Sequence, residues 1–249
     1  MTLKVLDLFA GAGGFTIAGE LAGGYETVAF CEIDKYAQKV LRKNWPAVPI
    51  FDDVTKLKGS DIGSVDVITG GFPCQDVSIA GPKTGTILGE RSSLYGEILR
   101  IATETERPYI IMENVGHLVS GGNGYWFAAV MHGLAKIGYD AEWHILPASY
   151  IGACHRRERI WIIAYPGEKQ QKWNKQEPIF SQRNLQGQFG RGFARWSRRS
   201  DIPEPRGFRA NDGFPNRSHR TALMGNAIVP QVAAYFMRAL RETHDASLA

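Results

Sequence analysis

A cysteine stands in a stiff turn, Gly70-Gly71-Phe72-Pro73-Cys74-Gln75, directly after an apolar run that ends near Thr69. Open α/β sheets carry their active sites at the carboxyl ends of strands, and a Gly/Pro turn there would hold Cys74 rigidly toward a substrate. The thiolate is the attacking form, so a nucleophilic cysteine needs a lowered pKa or a positive neighbour, for which Arg157 and Arg159 are the candidates. A lone cysteine also serves as a small buried hydrophobe. A second apolar strand runs into Glu113-Asn114-Val115, where a carboxyl group could give a proton to a ring nitrogen or simply stabilise a loop.

Other carboxylates and glycines suit a nucleoside. Gly11-Ala12-Gly13-Gly14 lies between a first strand and a helix, where glycines let a ligand approach the backbone and helix N-terminal amides face it. The run lacks the G-x-G-x-x-G spacing and has no P-loop lysine, so phosphate binding is not favoured. Glu32, at the end of the second strand, is placed to accept hydrogen bonds from two ribose hydroxyls, and Asp53 after the next short strand could take an adenine amino group. Taken singly, each carboxylate reads equally as an N-cap or a surface charge.

These residues need a scaffold of alternating elements. Leu3 to Phe9 reads as a strand, Phe15 to Ala22 as a helix and Thr27 to Cys31 as a strand. Asp34 reads as the N-cap of a helix that Pro46 stops. Asp66 to Thr69 and Tyr109 to Met112 are predicted strands around a helix from about Ser93 to Thr105. Trp126 to Ile137 is predicted helical, and Ala141 to Leu146 and Arg159 to Tyr165 extended. The alternation predicts an α/β fold with a mostly parallel sheet. After Tyr165 the pattern stops until about residue 219, and an apolar period returns over Val229 to Leu240. The predicted division is therefore a first domain of 1–165 and 220–249, with 166–219 inserted and the last helix packed back on the first domain.

Composition narrows the function classes. The 249 residues are 44% hydrophobic and 22% charged, enough for a core and incompatible with a disordered, collagenous or purely coiled-coil chain. The absence of an apolar run of about 18 residues, and a start that reads MTLKVLDLFAGAGG, predict a soluble, non-exported, cytoplasmic protein. Cys31, Cys74 and Cys154 form no C-x-x-C pair, which argues against a disulfide framework and a cysteine-based structural zinc site. The formal charge of +4 is unevenly spread: Pro166 to Arg220 holds 12 Lys/Arg against 5 Asp/Glu, while the rest holds 17 against 20. That segment interleaves its cations with Trp173, Phe180, Phe189, Phe193, Trp196, Phe208 and Phe214. Cations that neutralise phosphates beside rings that stack or wedge against bases suit a polyanion surface, although charge runs are commonly just solvated loops.

In order along the chain, Asp7-Leu8-Phe9-Ala10-Gly11, Glu32, Asp53, Pro73-Cys74-Gln75, Glu113-Asn114-Val115, Arg157-Glu158-Arg159 and Gly225-Asn226-Ala227 resemble the DNA cytosine-5 methyltransferases. The resemblance covers roughly residues 3–165 and 219–240. It implies a Rossmann-like, S-adenosylmethionine-dependent methyltransferase sheet flanked by helices, with a small target-recognition insert. Phe9, Gly11 and Gly13 would line the methyl donor beside Ile33, with Glu32 on its ribose, Asp53 on its adenine, and Leu94 and Asn226 closing the pocket. Cys74 would attack carbon 6 of a flipped cytosine, Glu113 would hydrogen-bond or protonate ring nitrogen 3, Arg159 would hold the base and Arg157 would contact the base or nearby backbone. Gln75, and Ser78 in a segment that in the family closes over DNA, would contact double-stranded DNA. Arg191, Arg195, Arg198 and Arg199 of the insert would do the same. The resemblance implies no metal, since the thiolate and the charged methyl donor already supply nucleophile and electrophile. It also implies a monomer and, in a restriction-modification or phage-protection setting, a cognate restriction endonuclease. Two departures stand out: His155 replaces the family's usual glutamine before Arg-x-Arg, and the insert is short. The tRNA-methylating branch of the family carries a Cys-Phe-Thr motif that this chain lacks.

Overall fold

A computed structural model describes residues 1–73, 94–151, 157–167 and 226–248. Seven strands form one mixed sheet: β1 (Leu3–Leu8), β2 (Tyr25–Cys31), β3 (Ile50–Phe51), β4 (Val67–Gly70), β5 (Tyr109–Val115), β6 (Tyr139–Pro147) and β7 (Glu158–Pro166). Their order is β3-β2-β1-β4-β5-β7-β6, parallel from β3 to β5, with β7 antiparallel to both β5 and β6. The described helices are α1 (Gly14–Ala22), α2 (Lys35–Asn44), α3 (Leu94–Glu104), α4 (Tyr125–Lys136) and α5 (Pro230–Leu248).

Both faces of the central strands β1, β4, β5 and β7 are buried, so these strands read as near-continuous apolar runs. Strand alternation sends Leu6, Leu8, Ile110, Met112, Ile160 and Ile162 into one core, beside buried residues of α3 and α4 such as Ile98 and Leu134. It sends Leu3, Val5, Tyr109, Ile111, Trp161 and Ile163 into the other, beside Phe15 of α1 and Phe236 of α5. Phe236 stacks on Trp161 with ring centroids 5.3 Å apart, so the returning helix completes the second layer as its periodicity predicts. Arg241 Nη1 and Arg238 Nη2 of α5 donate to the Gly23 and Leu21 carbonyls, satisfying carbonyls at the end of α1 that the helix itself leaves open. At the start of α2 the Asp34 carboxylate accepts from the Tyr36 and Ala37 amides, the predicted cap. The insert lies outside the described residues apart from Pro166 and Gly167. Among the described residues no helix is long and apolar enough to cross a membrane.

The chain leaves β1 for β2 and β3 on one side and resumes with β4 on the other, so the strand order reverses between β1 and β4. A crevice opens at the carboxyl ends of the strands at such a point. The register aligns Cys31, Leu8, Gly70 and Met112 across β2, β1, β4 and β5. Glu32, Phe9, Gly71 and Glu113 are therefore the next residues on one rim.

Candidate active site

The rim carries two carboxylates with different surroundings. Glu32 is half-buried; its Oε2 accepts from the Gly11 amide at 2.7 Å and its Oε1 from the Asp34 amide at 2.8 Å. Each oxygen is fixed by one backbone donor and keeps acceptor capacity for a further one. Beside it Ile33 is 73% exposed, and half-buried Phe9 takes a left-handed φ of 54° as β1 turns into the glycine loop. Two oriented acceptor oxygens beside an exposed apolar side chain can accept from paired hydroxyls and cover a flat ring.

Other predicted cofactor residues fit less directly. Gly13 turns its α-carbon toward Trp45, where a Cβ would come within 2.4 Å of the indole, so this glycine serves close helix packing. Asp53 Oδ1 accepts from both the amide and the hydroxyl of Thr55, and Oδ2 pairs with Lys56 at 3.3 Å. The Thr55 bonds hold its carboxyl below the usual carboxylate range. Leu94, the first residue of α3, is half-buried against the first core, and Asn226 is exposed.

Glu113, 6% exposed, forms the second carboxylate. Arg159 lies opposite Val115 in the β5–β7 register, which makes Glu113 its diagonal neighbour, and Arg159 Nε approaches Glu113 Oε1 to 2.8 Å. This close charge pair engages one acceptor site of Oε1, and the oxygen's second lone pair retains hydrogen-bonding capacity. Glu113 Oε2 faces Gly71, where an added Cβ would sit 3.5 Å away. Burial pushes the Glu113 carboxyl up to about 7, against the opposing pull of Arg159 and Arg157. A carboxyl poised near neutrality beside a fixed cation can donate or hold a proton. Arg157 is half-buried; its Nη2 donates to the Ala227 carbonyl at 2.5 Å.

Two positioning residues carry no role in the sequence reading. Asn114 is buried, and its Nδ2 donates to the Phe72 carbonyl at 2.8 Å, which ties the turn leading to Cys74 onto the end of β5. Asp7 is fully buried on β1 and accepts from the Thr69 hydroxyl of β4 at 2.9 Å and the Thr16 hydroxyl of α1 at 3.5 Å. Asn114 stands inside a motif and Asp7 inside an apolar strand, so a polar residue at an interior position was the available signal. Cys74, Gln75, Ser78, His155 and the four insert arginines, Arg191, Arg195, Arg198 and Arg199, lie outside the described residues. Among the described residues no group of three or more His, Cys, Asp or Glu could hold a metal.

The family model for C-5 cytosine-specific DNA methylase matches residues 3–194. The type II methyltransferase M2.BsuMI of Bacillus subtilis is 35% identical over 166 residues, covering 65% of this chain and 42% of that protein. M.HhaI of Haemophilus parahaemolyticus is 36% identical over 163 residues, covering 66% and 49%. The chain thus spans less than half the length of these curated relatives. Among solved structures, DNMT2 of Spodoptera frugiperda superposes with a TM-score of 0.55 at 23% identity, covering 67% of this chain and 50% of that one. Dnmt2 of S. pombe gives 0.53 at 23% identity, with the same coverage. These likenesses show that the mixed seven-stranded sheet has the Rossmann-like fold of those methyltransferases. With a match over most of its length, the chain belongs to the C-5 cytosine-specific DNA methylase family.

Proposed function

We propose that the protein transfers a methyl group from S-adenosylmethionine to carbon 5 of a cytosine in a short duplex DNA site. The observation that carries this reading is the Glu113–Arg159 pair, buried on the same rim as Glu32 and following the turn that leads to Cys74. When bound, the methyl donor supplies an activated methyl group as a sulfonium. Glu32, Ile33, Phe9 and Gly11 hold its nucleoside, with Asp53, Leu94 and Asn226 around it and Gly13 setting the loop.

The chain's own residues perform the rest. The target cytosine leaves the stack, because the ring edge is unreachable within a duplex. The Cys74 thiolate adds to carbon 6, and Glu113 hydrogen-bonds or protonates nitrogen 3 as negative charge develops in the ring. Arg159 holds Glu113 and the base. The enamine formed by this addition makes carbon 5 the nucleophile; after methylation carbon 5 gives its proton to water, any proton on nitrogen 3 returns to Glu113, the 5,6 double bond re-forms and Cys74 leaves as the thiolate. The basic, aromatic segment 166–219 is the proposed recognition region beside a catalytic domain of 1–165 and 220–249, with Gln75, Ser78 and the insert arginines on DNA. A monomeric, cytoplasmic enzyme of a protective methylation system, with or without a cognate endonuclease, is the setting that this activity fits.

Bisulfite sequencing of unmethylated plasmid, incubated with protein and S-adenosylmethionine, tests the proposal against a Cys74→Ala control. Cytosines protected within one short motif, and only by the wild type, are expected. Complete conversion by a protein that still binds the cofactor would overturn the DNA reading.

A further inference from the structure

Arg157 and Arg159 stand two residues apart where the chain enters β7, and their partners differ. Arg159 pairs with Glu113 at 2.8 Å, within the base site proposed above. Arg157 takes a positive φ of 26°, a conformation that non-glycine residues keep only when surrounding contacts fix it. Its Nη2 donates to the carbonyl of Ala227, 70 residues further on.

Ala227 belongs to the segment that leads into α5, and the next residue is held from the opposite side. Ile228 Cγ1 lies 2.5 Å from where a Cβ on Gly14 would stand, so Ile228 fills the space over the first turn of α1. Gly14 follows Gly13 in the loop whose Gly11 amide fixes Glu32. The 226–228 stretch is therefore clamped between the glycine loop and Arg157. A guanidinium bonded to a main-chain carbonyl makes a charge-assisted hydrogen bond, and its planar fork loses less freedom in doing so than a lysine would.

We infer that Arg157 is a positioning residue for the methyl-donor pocket: by holding the Ala227 carbonyl it keeps 226–228 seated on the glycine loop, and it joins the cofactor site to the base site through one side chain. The inference rests on the reading of Glu32 and the glycine loop as a cofactor site. It departs from the expectation that Arg157 acts on the base or DNA backbone, because it requires Arg157 to govern cofactor affinity when no DNA is present. By reciprocity of linked equilibria, an occupied cofactor site then steadies Arg157 beside Arg159 and Glu113.

Calorimetric titration of S-adenosylhomocysteine into the full chain, without DNA, provides the test. Wild type, Arg157→Met, Arg157→Lys and Arg107→Met are compared, each checked for folding by its melting curve; Arg107 donates to the Ile137 and Gly138 carbonyls, a bond of the same kind away from the rim. Loss of a charge-assisted bond is expected to weaken binding by Arg157→Met about tenfold. Arg157→Lys should fall between the two, and Arg107→Met should bind within about twofold of wild type. If Arg157→Met does not fold, Arg157→Lys alone carries the comparison. Arg157 variants that bind as tightly as wild type would overturn the inference and leave the cofactor reading intact, as would equal losses in the Arg157 and Arg107 variants. A wild type that does not bind the ligand overturns the cofactor reading, and the inference with it.

Discussion

At Glu113 burial and ion pairing act in opposite directions, and the balance decides what the residue can do. Burial favours the neutral acid, Arg159 and Arg157 favour the carboxylate, and the net position is about 7. The proton is held below that pH and lost above it, so a reaction needing protonated Glu113 declines as pH rises past about 7. The Cys74 thiolate imposes the opposite limb, and kcat/KM should be bell-shaped. Glu113→Gln keeps a hydrogen-bond donor and cannot transfer a proton; its rate is expected to drop about 10²- to 10⁴-fold and its alkaline limb to disappear in pH–rate profiles. An alkaline limb unchanged in the variant would assign that limb to another group. The motif marks Glu113 as a carboxyl at a strand end. Its perturbation was not legible, because the burial that raises it comes from the packed sheet and the Arg159 that opposes it reaches it from a strand 46 residues later.

Among the elements, β1, α1 and β4 meet at Asp7, and the packing of α5 closes the same face. Burial lifts the Asp7 carboxyl to about 8, while the Thr69 and Thr16 hydroxyls work against the rise. Its folded pKa lies above the unfolded value, so the folded state holds a proton that the unfolded chain has released, and stability falls as pH rises from about 4 to about 8. Between pH 6 and pH 8 this amounts to an order of 2–3 kcal/mol. Asp7→Asn, neutral and of the same shape, should match the wild type near pH 4, exceed it in stability at pH 6 and pH 8, and lack that decline in urea titrations. An equal slope in both proteins would remove Asp7 as its source. Phe236 stacks on Trp161 and is completely buried, so Phe236→Ala is expected to cost about 3–5 kcal/mol in the same titrations. A loss below about 1 kcal/mol would mean that α5 contributes little to the fold. The periodicity of Val232, Phe236 and Leu240 announced an apolar face, and the sheet supplied what it packs on.

Over the whole molecule, charge and coverage divide the chain unequally, with a local +7 between Pro166 and Arg220 and −3 elsewhere. Replacing Arg191, Arg195, Arg198 and Arg199 together should reduce the slope of log affinity against log salt by about 3–4 on duplex DNA, close to 0.9 per lost phosphate contact. An unaltered slope in filter-binding titrations would remove these side chains from the interface. Local pattern determined much of this protein: strands and helices follow from apolar periods, the Asp34 cap from its own next turn, and the reactive residues from their places at strand ends. These features depend on residues near one another in the chain, where spacing is geometry. Tertiary structure alone decided the antiparallel entry of β7 beside β5, the Glu113–Arg159 pair, the tether from Asn114 to Phe72 and the bond from Arg157 to Ala227. Each joins side chains or main chain from segments far apart in sequence, and such a pairing is fixed only when the sheet sets its register and the cores bury both of its faces.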